Sequence, residues 1–245
     1  MNTVSILAAA VSVAGAVVTV GLGAYFEHRR NVSHRRARLR HRASRYSETL
    51  LQAAGSVRTR LGNVAHLNEF PQFRDSERFR DYARYESLYR IARYLGVVHI
   101  MAQEVRFLDL GSRRRNRDLV ERLGAVRGVL SDYSSGDLRF LILGGAQEAI
   151  GELMIDTAAT GDGPPRCVSY PVFRERLDDD PRFARWMNPV LADIDAVIAS
   201  RERSPRFVPA EKALDELIEF LDRRRIWQPW DRHRADAAVP LTSQG

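Results

Sequence analysis

The sequence predicts an all-α protein, with one N-terminal transmembrane helix followed by a cytoplasmic multi-helix bundle. Three observations predict it. Residues Val4 to Phe26 carry no charged side chain. Eight arginines follow almost at once, at positions 29, 30, 35, 36, 38, 40, 42 and 45, against one acid, Glu27. From Tyr46 onward apolar residues recur at spacings of three and four, the period of a helix that buries one face.

The first element is the span VSILAAAVSVAGAVVTVGLGAYF, 23 residues without a charge. At about 1.5 Å of rise per residue, roughly 20 residues cross a hydrocarbon core of about 30 Å. A helix satisfies every backbone group inside lipid, and Tyr25 suits the interface at its end. A cleaved signal peptide would carry basic residues before its apolar run and a small-residue site after it. Here Met1 to Thr3 holds no basic side chain, and Glu27-His28-Arg29-Arg30 follows the run directly. Arginines beside a span stay in the cytoplasm, so the N-terminus is expected outside and the remainder at the cytoplasmic face of the inner (plasma) membrane. The sequon Asn31-Val32-Ser33 is then incidental. Ser12, Gly15, Thr19 and Gly23 share one face of the span, the arrangement by which two helices approach closely. That face makes a homo-oligomer possible; the plainer reading is that alanine and glycine are common in this chain.

The basic segment, 27–45, fixes the direction of insertion. Its Arg29, Arg30, Arg35, Arg36, Arg38, Arg40 and Arg42 are expected at the membrane surface, where each contributes about 1 kcal/mol toward anionic headgroups. The formal charge of +7 lies wholly here, because the chain from Tyr46 onward holds thirty basic and thirty acidic residues. The domain therefore exerts no net pull on nucleic acid, and Tyr46 alone is no stacking platform. Lys212 is the only lysine, a bias that fits GC-rich codons. One cysteine, Cys167, excludes an internal disulfide and fits a reducing compartment.

Beyond the arginines a heptad-like seam of Ala43, Tyr46, Leu50, Ala53, Val57, Val64 and Leu67 predicts a helix from Ser33 to Leu67, broken in its pattern at Arg60. The seam packs against its own domain or forms a coiled coil with a second copy. After Phe70-Pro71, a long central helix is predicted from Asp75 to Leu110, bent near Gly96 and stopped at Gly111. Its tyrosines resemble a ligand-stacking row but read more simply as core edge. A further helix is expected over Arg114 to Leu130, followed by the loop SDYSSGD. Leu138 to Leu143 has the apolar run of a strand, yet the helical spacing of GGAQEAIGELMID carries the region as mostly helix. TGDGPP is a loop. Helices over Pro171 to Leu177 and Pro181 to Ala199 each begin at a proline, which suits the first turn. The last runs from Pro209 to Arg224. The domain is bounded at 46–225, and the tail 226–245 has no pattern and reads as disordered.

No constellation carries recognisable chemistry, and no cofactor or metal is expected. Of six histidines, only His66 and His99 are candidates for the interior, and none forms a metal-binding pair four apart. Glu148 and Glu152 share a helix face but lack a companion Glu-x-x-His. Asp178-Asp179-Asp180 reads as a helix N-terminus. Gly144-Gly145 precedes a helix without the spacing of a phosphate loop.

The segments YLGVVHIMAQEVRFLDLG, LGGAQEAIGELMID, CVSYPVFRERL and DDPRFARW resemble a bacterial family of uncharacterised, single-span membrane-anchored helical proteins. The resemblance covers most of the region after Tyr46 and implies an anchored helical domain, with no activity and no functional residues to transfer. The leading expectation is a non-catalytic scaffold or adaptor meeting an unidentified protein partner at the membrane. The alternative is a membrane-tethered enzyme using clustered carboxylates such as Glu104, Asp109, Glu148 and Glu152, and a third is an oligomeric pore.

Overall fold

The computed structural model describes Glu27 and residues 46–64, 76–104, 113–134, 136–157, 165–200 and 202–222. Between 46 and 222 the described residues form seven helices and no sheet. They are α1 (46–63, closing in a 3₁₀ turn at Val64), α2 (Glu77–Glu104), α3 (Arg113–Ser131), α4 (Gly144–Leu153), α5 (Tyr170–Asp179), α6 (Pro181–Ser200) and α7 (Phe207–Leu221). The all-helical expectation holds. The span, the arginines after it, Gly111, His66, Trp227, Trp230 and the tail lie outside the described residues. Among the described residues no helix is long and apolar enough to cross a membrane.

The heptad-like seam of α1 is consumed within the chain. Tyr46, Leu50, Ala53, Val57 and Val64 are all buried in the common core. Leu61 is buried in place of Arg60, whose guanidinium pairs with Glu86 of α2. The coiled-coil reading is therefore corrected for the described part of the helix, because its apolar stripe has no face left for a second copy.

α2 is the central helix and packs on α4, α5 and α6. It continues unbroken through Gly96. The glycine is required there by contact. A Cβ at Gly96 would lie 2.8 Å from both Cys167 Sγ and Met154 Cβ, and one at Gly151 of α4 would lie 2.9 Å from His99 Cβ and from the Leu95 carbonyl. Each helix thus carries a glycine where the other approaches, which lets the two backbones come closer than side chains would allow.

An aromatic ladder joins α2 to α5 and α6. Tyr82 and Tyr89 meet the Tyr170 ring edge-on at 6.2 and 5.3 Å, Tyr89 meets Phe173 at 5.3 Å, and Phe173 meets Phe183 at 5.4 Å. The row begins at the exposed Tyr82 and ends at two fully buried phenylalanines, so it is packing with a wet edge. Tyr89 OH donates to the Val168 carbonyl at 3.1 Å. Asp180 caps α6, accepting from the backbone N–H of Arg182 at 2.9 Å and of Phe183 at 3.3 Å, as the acidic triplet predicts.

The stretch 138–143 departs from the expected helix. It is a loop, and α4 begins only at Gly144, after an extended Leu143. The reason is that its backbone groups are taken by distant partners. Ile142 N–H donates to the Leu130 carbonyl at 2.8 Å and Phe140 N–H to Asp193 Oδ2 at 2.8 Å, leaving little for a helical ladder.

Candidate functional site

The most heavily determined polar feature is this loop and the segment that holds it. Arg206, just ahead of α7, is 4% exposed, which is unusual for an arginine. Its Nη1 donates to the Val129 carbonyl at 3.0 Å and to the Asp132 carbonyl. Nη2 donates to the Asp137 carbonyl at 2.7 Å and Nε to the Arg139 carbonyl at 3.3 Å. One guanidinium thus gathers four main-chain oxygens from the end of α3 and the loop beyond it. Burying such a charge costs several kcal/mol unless hydrogen bonds replace its hydration, and these four bonds do so.

Neighbouring groups complete the clamp. Ser204 is buried, and its hydroxyl donates to Asp137 Oδ2 at 3.3 Å while accepting from Arg206 N–H at 3.3 Å. Arg139 Nη2 donates to Asp137 Oδ2 at 3.0 Å, and this pairing holds the Asp137 carboxyl below its usual range. Asp193, reaching from α6, is pushed the other way by burial, partly offset by the bond from Phe140 N–H. On the α4 side, the buried Gln147 donates through Nε2 to the Ile142 carbonyl at 2.7 Å, Ser131 Oγ at 2.9 Å and the Arg127 carbonyl at 3.1 Å.

The clamp holds the backbone in a costly shape. Phe140 has φ 57°, in the left-handed region that non-glycine residues adopt at roughly 1–2 kcal/mol. Its ring compensates by packing on Phe207 at 4.7 Å between centroids. Beneath the two rings lies an apolar cavity of about 20 Å³ that includes Val57, Leu61, Tyr94 and Leu214 in its wall. That volume is near the minimum for a single water, and its lining is apolar.

What this framework presents outward is apolar. Tyr133 is 76% exposed, Leu138 71% and Val208 62%. Leu138 and Val208 flank the buried Phe140–Phe207 contact, one on each segment, and Tyr133 adjoins the carbonyl of Asp132 that Arg206 grips. The loop and the start of α7 thus carry three of the large apolar side chains exposed among the described residues.

The acids weighed for chemistry do not form a comparable site. Glu148 and Glu152 are both exposed on α4, and Glu148 Oε1 accepts from Arg127 Nη2 at 2.8 Å. Glu104 closes α2, and Asp109 lies outside the described residues. Among the described residues no three His, Cys, Asp or Glu side chains stand close enough to hold a metal ion. His99 shares a 2.8 Å hydrogen bond with Gln103 Nε2 on its own helix. The Gly144-Gly145 turn meets Arg127 through the Gly144 carbonyl at 3.3 Å. Cys167 packs against Gly96, and burial pushes its thiol up to about 11, which keeps it protonated. Arg29, Arg30, Arg35, Arg36, Arg38, Arg40 and Arg42, like Ser12, Gly15, Thr19 and Gly23, lie outside the described residues.

Sequence reasoning missed Arg206, Ser204 and Asp193 entirely. The local signals are weak: Ser204-Pro205-Arg206 reads as a turn before a helix, and nothing in the chain marks this arginine among so many. No family model, curated protein or solved structure matches the chain.

Proposed function

We propose that the chain is a single-pass membrane protein, N-terminus outside, whose cytoplasmic helical domain is a non-catalytic adaptor that docks another protein through the loop held by Arg206. The observation that carries the reading is the coincidence, at one place, of an over-determined backbone with three exposed apolar side chains, Tyr133, Leu138 and Val208. A loop already fixed in its bound shape loses little conformational freedom on association. Exposed tyrosine and leucine then supply contact area.

The anchoring half of the proposal is supported by the uncharged run Val4 to Phe26 and the arginines after it. In this reading Arg29, Arg30, Arg35, Arg36, Arg38, Arg40 and Arg42 rest among anionic headgroups, and the Ser12, Gly15, Thr19 and Gly23 face can pair two spans. A C-terminal reporter is expected active only in the cytoplasm.

Two measurements test the halves separately. Deleting residues 1 to 30 is expected to move the domain from the membrane pellet to the soluble fraction; a domain that still pellets in high salt overturns the anchor. Replacing Tyr133 and Leu138 together by serine is expected to change stability by no more than about 0.5 kcal/mol, as for most surface sites. The same variant should lose the proteins cross-linked to the full chain in native membranes. Retention of an unchanged cross-linking pattern overturns docking at this loop.

A further inference from the structure

We draw no further inference here: the strongest candidate, the exposed face of α3 that carries Val120, Gly124 and Gly128, is a stripe of small residues with nothing in the structure to show what covers it.

Discussion

Arg206 illustrates how much one side chain determines when its partners are main-chain atoms. Arg206→Met keeps the volume and removes the donors, leaving four carbonyls to find other partners. Since hydrogen bonds to charged groups contribute about 1.5–3 kcal/mol each and part of the loop can rehydrate, a net loss of about 3 kcal/mol is expected in denaturant unfolding of the detergent-solubilised chain. Asp193 makes a prediction about pH. Burial raises its pKa above the model-peptide value of 3.8, so the folded state binds this proton more tightly than the unfolded one. Its contribution therefore falls as pH rises from 3.8 through the raised value, and Asp193→Asn is expected to flatten that slope in unfolding curves taken between pH 4 and 8. Asp137 and Asp132 act in the opposite sense, because their pKa values are lowered from 3.8. What they contribute is present above 3.8 and lost as pH falls through their folded values. At Cys167 a thiol raised to about 11 should react with a disulfide reagent at pH 8 far more slowly in the folded chain than after unfolding.

Among the elements, the helices were the legible part, for reasons that differ along the chain. Pro171, Pro181 and Asp180 mark their helix starts locally, and α5 and α6 begin within a residue of the expected positions. α3 begins at Arg113 against an expected Arg114, because Leu119, Leu123, Val126 and Leu130 keep one strict face. The loop at 138–143 was not legible. Its apolar letters allow helix or strand, and the choice is made by Arg206 and Asp193, each more than fifty residues away. A glycine in a helix has several causes that sequence alone does not separate, and at Gly96 the structure shows one of them, contact with Cys167 and Met154. Glycines of the two kinds respond oppositely to a methyl group. Gly96→Ala and Gly151→Ala drive a Cβ into contacts under 3 Å and are expected to lower stability by about 1–3 kcal/mol. Gly124 and Gly128 of α3 face open space, so alanine at either should raise it by up to about 1 kcal/mol. Thermal unfolding of the four variants distinguishes the two kinds by sign.

For the molecule as a whole, the glycine-tight crossing of α2 with α4 and the loop held by Arg206 draw on different residues. The expected anchor, its arginines and its small-residue face rest on sequence patterns outside the described residues, whereas the loop depends on long-range geometry that no pattern announces. Composition made the charge distribution legible, and only the fold made the loop held by Arg206 so. The clamp also has an evolutionary corollary. Every acceptor that the Arg206 guanidinium uses is a peptide oxygen, so the grip is indifferent to which side chains project from the segment it holds. Substitutions at 133 and 138 can change the surface the loop presents while the peptide path persists, by exchange of surface letters alone.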